Sequence, residues 1–255
     1  MRLKKIALIL SSLLLAIGIF SCVEEPTVEA PARPFAVIRI GNFSANVANL
    51  VVTIDGTTPV AELSDLAYQE VTPFFDVIAG QRLITIVDKA TNDTIYNKKI
   101  NFSSYNEVSC FFTGEYSTVD TLNNFNYATF AEGLTYYDNS PVQGKAYISF
   151  LYLITQALNP LTDQPRIDVY DGTAGKDSLI IEDFNKDEGF NDVRFTDAAV
   201  GGRKFVFKKL LTTDVVASDS VQIQAGKRYL FVLTGNAINP GIMHLENDPL
   251  PVRGK

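Results

Sequence analysis

Few residues of this chain could carry out acid–base, nucleophilic or metal chemistry. Its 255 residues include one His, His244, and two Cys, Cys22 and Cys110. A zinc site needs several His, Cys or acidic ligands, and a catalytic thiolate needs a base beside it. Cys110 stands in the alternating run 108–112, which is typical of a strand, so we predict that it is a small buried residue. No catalytic residue, metal site or cofactor is predicted.

Acidic residues crowd together in the segment from Glu182 to Asp192. Closely spaced carboxylates can bind Ca²⁺, but the order of residues from Asp183 to Gly189 departs from that of an EF-hand loop. We therefore interpret the segment as a solvated insertion loop. Paired carboxylates could also hydrolyse a glycoside, so a hydrolase is kept as the least favoured function.

The N-terminal residues predict an export signal. A basic start is followed by the apolar run 6–20, which is too short to span a bilayer and suits a secretory leader. The segment Ile19-Phe20-Ser21-Cys22 resembles a bacterial lipobox, in which the Cys accepts diacylglycerol. We predict a lipoprotein signal peptide at 1–21, lipidation of Cys22, and a flexible, Pro-containing tether over 22–34. An ordinary signal peptide that ends near a Cys is the alternative.

The residues after Cys22 bear on localisation. Glu24 and Glu25 resemble the surface-export signal of Bacteroidota lipoproteins. We therefore predict attachment to the outer membrane with the protein at the cell surface; an anchor that faces the periplasm is the alternative. Removal of the leader lowers the net charge from -7 to -10. Because nucleic-acid binding depends on basic surfaces, no nucleic acid is expected as a partner.

The rest of the chain reads as two copies of one unit. Three landmarks recur in the same order in both copies: 36–40 and 146–150, 55–57 and 171–173, 111–114 and 232–235. Short β-branched runs end at turn signals such as Asp-Gly, and no helical apolar stripe follows the leader. We predict an all-β fold with two tandem immunoglobulin-like antiparallel β-sandwich domains, 35–144 and 145–255.

The segments 38–44 and 225–235 resemble the domain of unknown function 4397 family. That resemblance implies extracellular β-sandwiches, often in tandem on bacterial lipoproteins, and it brings no catalytic residues. The first copy departs from the motif, because 104–107 read Ser-Tyr-Asn-Glu where 225–228 read Ala-Gly-Lys-Arg. The leading function is therefore a non-enzymatic, lipid-anchored envelope protein for adhesion or for binding a glycan or protein. A structural accessory subunit of an outer-membrane complex is the alternative.

Two further patterns concern ligands and modification. The basic cluster 203–209 is suited to binding an anionic glycan. It is also typical of an edge strand whose lysines prevent pairing with another sheet, and this second interpretation is the one we favour. Asp-(Ser/Thr)-aliphatic triplets match the O-glycosylation signal of Bacteroidota exported proteins, although Asp-Ser and Asp-Thr are also common turn formers. The predicted acceptors are Thr94, Thr121, Ser178 and Ser220.

Overall fold

A computed structural model describes most of the chain after the predicted tether. The described residues are 35–104, 107–118, 125–131, 146–155, 157–158, 161–173, 175, 177–185, 190–193 and 201–247. The predicted leader and tether, Cys22, Thr121 and the predicted domain boundary at 144/145 lie outside them. Within the described residues, no helix has the length and hydropathy needed to cross a membrane.

Strands make up nearly all of the regular structure. The strands of the first half are β1 (Phe35–Ser44), β2 (Asn49–Ile54), β3 (Leu66–Ala67), β4 (Phe75–Ile78), β5 (Gly80–Asp88), β6 (Thr94–Phe102), β7 (Glu107–Gly114) and β8 (Asn126–Ala131). Those of the second half are β9 (Tyr147–Tyr152), β10 (Ala157–Leu158), β11 (Leu161–Thr162), β12 (Ile167–Asp171), β13 (Ser178–Phe184), β14 (Phe190–Val193), β15 (Gly201–Lys209), β16 (Val215–Ile223), β17 (Arg228–Gly235) and β18 (Pro240–Asn247). One 3-10 helix, Ala61–Ser64, precedes β3.

Each half contains two four-stranded sheets with the same topology. In the first half the strand order is β3-β2-β5-β6 in the first outer sheet and β4-β1-β7-β8 in the first inner sheet. In the second half it is β13-β12-β15-β16 in the second outer sheet and β14-β9-β17-β18 in the second inner sheet. Neighbouring strands are antiparallel except for one parallel pair in each half, β1 with β7 and β9 with β17. The predicted all-β sandwich fold is confirmed.

The pairing of the parallel strands repeats in both halves. Val37 lies opposite Glu107 in the first half, and Tyr147 lies opposite Arg228 in the second. This register matches the alignment of 36–40 with 146–150. The Asp-Gly landmark is shifted by one residue between the two copies. Asp171 pairs with Phe205, and the equivalent pair of the first half is Ile54 with Ile84. Asp171 therefore corresponds to Ile54 and not to Asp55.

Each half has its own apolar core between its outer and inner sheets. Ile38 and Ile40 of β1 and Leu50 of β2 belong to the first core and are fully buried. Aromatic rings dominate the second, where the ring of Phe205 lies 4.6 Å from that of Phe231. Cys110 is fully buried in the first core, as predicted, and this burial raises the pKa of its thiol.

A third apolar cluster joins the two halves. Its buried members come from both inner sheets: Phe43, Phe111, Leu151, Leu153, Leu230 and Val232. The hydroxyl of Thr113 also donates a hydrogen bond to the carbonyl of Leu153 at 3.1 Å. The sheets therefore stack as four layers: first outer, first inner, second inner and second outer. Both faces of each inner sheet are covered.

Polar contacts at the two ends of this interface join equivalent residues. Glu107 and Arg228 begin β7 and β17, and their side chains form an ion pair at 3.5 Å. Glu115 and Asn236 follow the glycines that end the same strands, and the Asn236 amide donates to the Glu115 carboxylate at 2.6 Å. Contacts between equivalent residues are what a two-fold axis produces. The halves therefore pack as two subunits of a symmetric dimer would.

Two expectations about charged segments are wrong. β15 contains the basic cluster but lies between β12 and β16, so it is not an edge strand. Acids of neighbouring segments pair with two of its four basic residues: Arg203 with Asp171 at 2.5 Å, and Lys208 with Asp177. The acidic segment 182–192 is not simply a loop either, since β13 extends to Phe184 and β14 covers Phe190–Val193.

Candidate functional site

Loops of both halves gather at one end of the sandwiches. β1 ends there and passes into β2 within four residues, and the turns that follow β5, β15 and β17 lie at the same end. The contact between Glu115 and Asn236 joins the two halves at this end. The described chain begins at Phe35, at the opposite end. We call the loops 45–48, 68–70, 89–93, 210–214 and 236–239, together with Val215 at the start of β16, the distal end.

Exposed apolar side chains concentrate at the distal end. Among the described residues, four of the seven exposed large hydrophobic side chains lie there: Tyr68, Leu211, Val215 and Ile238. Leu211 is 87% exposed, more than any other of the seven. Exposed apolar side chains that lie at one end of a molecule are candidate contacts for a partner. The distal end is therefore the candidate binding surface.

The turn between β15 and β16 presents Leu211 on an ordered backbone. Lys209 exchanges backbone hydrogen bonds with the turn: it donates to the carbonyl of Asp214 at 2.9 Å and accepts from Thr212 at 3.0 Å. The backbone N–H of Asp214 donates to the hydroxyl of Thr212 at 3.1 Å. Leu211 itself has φ +58°, a left-handed conformation that is unfavourable for a side chain of this size.

The first half provides an internal comparison for this turn. The turn between β5 and β6 has the same length, and both hairpins contain a bulge at the same place. There Asn92, a residue that tolerates the conformation, is left-handed at φ +63°. In the second half, the apolar residues Leu210, Leu211 and Val215 stand where the first half has Lys89, Ala90 and Thr94, in that order. The hairpin therefore forms without these apolar residues, and the fold does not require them.

The distal end also carries acidic groups. Glu70, Asp93 and Asp214 are exposed there, with Lys209 as an exposed cation. Asp65 lies nearby and forms an ion pair with Lys89 at 2.6 Å. The hydrogen bond from Lys89 lowers the pKa of this carboxyl, and a second hydrogen bond from Asn49 adds to the effect. The apolar side chains are thus set among charged groups of both signs.

His244 and Asp219 form a pair that sequence reasoning missed. The ring Nδ1 of His244 lies 2.6 Å from a carboxylate oxygen of Asp219, and the pair connects β18 of the second inner sheet with β16 of the second outer sheet. A Ser–His–Asp triad has this carboxylate contact and a nucleophile at Nε2. Among the described residues, no hydroxyl or thiol makes a hydrogen bond to Nε2. The contact therefore ties the two sheets of the second half together.

Potential metal ligands are not clustered in the part of the chain that the structure describes. Groups of three or more His, Cys, Asp or Glu side chains with metal-binding geometry are absent there. Glu182 is exposed at the end of β13, while Asp183 is engaged with Arg166. Of the two carboxylates of the acidic segment whose side chains are described, one thus faces solvent and the other is ion-paired.

Three of the four predicted glycosylation acceptors are described, and all three are exposed. Thr94 begins β6 and Ser178 begins β13, whereas Ser220 lies within β16. The Asp preceding each acceptor differs in its contacts, because Asp177 pairs with Lys208 and Asp219 with His244. Exposure makes these hydroxyl groups accessible, and their glycosylation stays a prediction.

Comparison with known proteins gives little beyond the fold. No protein-family model matches the chain, and no curated protein matches it. Among solved structures, a family 26 carbohydrate-binding module of Eubacterium rectale Amy13K, in complex with maltoheptaose, has 11% identity and a TM-score of 0.26, with 85% of this chain and 98% of that chain covered. A "putative cell adhesion protein" from Bacteroides uniformis has 10% identity and a TM-score of 0.25, with 86% and 99% covered. The class of the protein is therefore defined by its own fold, an all-β protein of two packed sandwiches.

Proposed function

We propose that this protein is a lipid-anchored envelope protein that binds another protein through its distal end and catalyses no reaction. One observation carries the proposal: exposed apolar side chains gather at the end opposite Phe35. A tether over 22–34 would reach about 40 Å when extended. Such a tether would join the sandwiches at the Phe35 end and leave the distal end accessible to a partner.

The groups that could do chemistry support a binding role. Cys110 is fully buried and its thiol has a raised pKa, so a thiolate nucleophile is disfavoured. His244 is engaged with Asp219 in a contact between sheets. Binding rather than turnover is therefore the function that the geometry of the described residues favours.

The proposed address rests on the N-terminal residues. The lipobox-like segment that ends at Cys22 supports lipidation, and Glu24 and Glu25 support surface exposure. Membership of the domain of unknown function 4397 family is proposed on the two motifs around 38–44 and 225–235. An accessory subunit would use the same distal end, with another envelope protein as its permanent partner.

Glycan binding is a second candidate, favoured by the exposed face of the first outer sheet. Asn97, Lys99 and Asn101 of β6 present amide and ammonium groups there, and the hydroxyl of Thr85 lies 3.2 Å from the amide oxygen of Asn97. Flat faces rich in amides and hydroxyls can form hydrogen bonds with sugars. This face contains no aromatic ring on β2, β5 or β6 that could stack on a sugar, which makes it the weaker candidate.

The test separates protein binding, glycan binding and catalysis. Protein that begins at residue 22, with Cys22→Ser to prevent lipidation, is immobilised and exposed to envelope extract of the source organism, and in parallel to a glycan array. We expect a discrete protein to be retained, and retention to be lost with Tyr68→Asp combined with Ile238→Asp. The matched control is Leu83→Asp on the first outer sheet, which should retain the protein. Equal retention by both variants, or turnover of a glycan, would contradict the proposal.

A further inference from the structure

We infer that β1 carries mechanical load, so that the first half resists tension applied between the tether and the distal end. The inference goes beyond binding, and it rests on the proposed function for the two points at which force is applied. Three observations carry it: the direction of β1, the bonds on both of its sides, and a comparison with β9, the equivalent strand of the second half.

The first observation is that β1 lies along the axis on which the force would act. The tether is continuous with the strand at Phe35, and the strand runs from there to Ser44, next to the distal loop 45–48. Hydrogen bonds between strands run across the strands, perpendicular in antiparallel pairs and slanted in parallel ones. Tension along β1 therefore loads all of these bonds together in shear, whereas a sideways pull at Phe35 would load them one after another.

The second observation is that β1 is bonded on both sides, first by β7. Eight consecutive residues of β1, from Val37 to Ser44, lie opposite residues of β7. The hydroxyl of Ser44 adds a bond at the distal end, because it donates to the carbonyl of Gly114 at 2.9 Å. Arg39 adds another toward the opposite end, where its Nε donates to the hydroxyl of Ser109 at 2.7 Å. These bonds between the two strands resist sliding of β1 past β7.

The other side of β1 is held by the segment 70–78. β4 pairs with the first four residues of β1, 35–38. Toward the distal end, the backbone N–H of Thr72 donates to the carbonyl of Ile40 at 2.8 Å, and the hydroxyl of Thr72 accepts from the N–H of Ile40 at 3.0 Å. The backbone N–H of Asn42 donates to the carbonyl of Glu70 at 3.0 Å. Because β1 lies between two bonded neighbours, it can slide only if both sets of bonds break.

The third observation is that the bond between Arg39 and Ser109 has no counterpart at the equivalent place of the second half. There Ser149 lies opposite Leu230, whose side chain cannot form a hydrogen bond. The fold therefore forms without a polar bridge at this place. Burial of a charged guanidinium costs free energy, and Arg39 is only 3% exposed, so stability alone does not account for it. The bridge fastens the strand on which the tether would pull.

The first part of the test compares two directions of force on single molecules in an optical trap. Protein that begins at residue 22 has the thiol of Cys22 as one handle, where the lipid would be attached. The second handle is Ala90→Cys at the distal end or, as the matched control, Ser103→Cys, which follows β6 at the Phe35 end; both positions are exposed. The buried Cys110 leaves only these two thiols to react.

The expected result is a dependence of the unfolding force on direction. At equal loading rate, the force should be about twofold or more higher between residues 22 and 90 than between residues 22 and 103, because only the first pair of handles loads the bonds of β1 together. Equal forces, or a higher force from position 103, would overturn the inference.

The second part of the test asks which strand bears the force between residues 22 and 90. Thr72→Val removes the acceptor of the Ile40 N–H and keeps the shape of the side chain. Thr155→Val is the matched control, because it removes a buried hydroxyl that donates to the carbonyl of Gly235 at 3.3 Å in the half on which the handles do not pull. Both variants should unfold at lower urea concentration, and only Thr72→Val should lower the unfolding force. An unchanged force for Thr72→Val, or an equal fall for both, would contradict the role of β1.

The outcomes separate this inference from the proposed function. If the force does not depend on direction while Tyr68→Asp combined with Ile238→Asp abolishes retention of a partner, β1 does not carry the load and the proposed function stands. If the force is higher along β1 but no partner is retained from envelope extract, the binding function fails and the role of β1 stands.

Discussion

Replacement of Phe111 by alanine tests whether the two halves pack against each other. Phe111 lies on β7 with its side chain fully buried in the cluster between the inner sheets. Its ring centroid is 4.8 Å from that of Phe43 and 5.7 Å from the guanidinium carbon of Arg39. The absence of a side chain at Gly41 makes room for it, because a Cβ there would lie 2.9 Å from the Phe111 ring.

The expected cost of Phe111→Ala is that of a core phenylalanine. Truncation of a buried Phe to Ala lowers the free energy of unfolding by about 3–5 kcal/mol. For a folded unit of this size, each kcal/mol corresponds to about 2–4 °C, so the unfolding temperature should fall by about 6–20 °C. If the halves were separate domains on a linker, this side chain would face solvent and the cost would be about 0.5 kcal/mol.

Urea denaturation and differential scanning calorimetry of the soluble protein measure this difference. Leu83→Ala is the matched control, because Leu83 lies on the opposite, outer face of the first sandwich and is 37% exposed. The control should cost less than about 1 kcal/mol. A loss at Phe111→Ala no larger than that of the control would refute the packing of the inner sheets.

Three further predictions concern the lipid anchor at Cys22, the turn at Gly235 and the buried thiol of Cys110. Cys22→Ala should leave the protein unprocessed or released from membranes, since a lipid anchor with several acyl chains provides stable attachment; fractionation that finds it firmly membrane-bound with normal mature mass would contradict this. Gly235→Ala should destabilise by more than about 2 kcal/mol in a urea titration, because φ is +91° and the new Cβ would lie 2.2 Å from the carbonyl oxygen of Asn239. The control Gly56→Ala, where the Cβ would meet nothing within 4 Å, should cost about 1 kcal/mol, and equal losses would exclude a steric cause. Cys110, fully buried, should react with a thiol reagent only after unfolding; rapid labelling of the native protein would show that it is accessible.

The fold was largely predictable because strand signals are local. Alternating apolar residues and Asp-Gly turns indicate strands wherever they fall, and the alternating run 108–112 predicts the buried position of Cys110. The packing of the halves also has a signal in the sequence. Residues 229–233 are apolar without interruption, and Phe111 and Phe112 are adjacent. Such continuous runs are typical of strands that are buried on both faces, as β17 and β7 are.

The candidate site was harder to predict because it depends on where strands end. The basic run predicts a strand from Arg203 to Leu211, whereas β15 ends at Lys209 and leaves Leu211 in a turn. That two-residue difference changes Leu211 from a strand residue into the most exposed large apolar side chain described. The edge assignment of β15 was wrong because two strands, β12 and β16, pair with it from other segments of the chain. Pairings of this kind are tertiary and leave no local pattern.

The dimer-like packing of the halves has a consequence for stoichiometry. A homodimer with this interface would dissociate on dilution, and it would carry two identical hairpin tips. In a single chain the two units remain together at any concentration, because their association is intramolecular. The copies also differ at these tips, since the second carries Leu211 where the first carries Ala90. A single chain therefore holds two different tips in a fixed one-to-one ratio, which a homodimer cannot do.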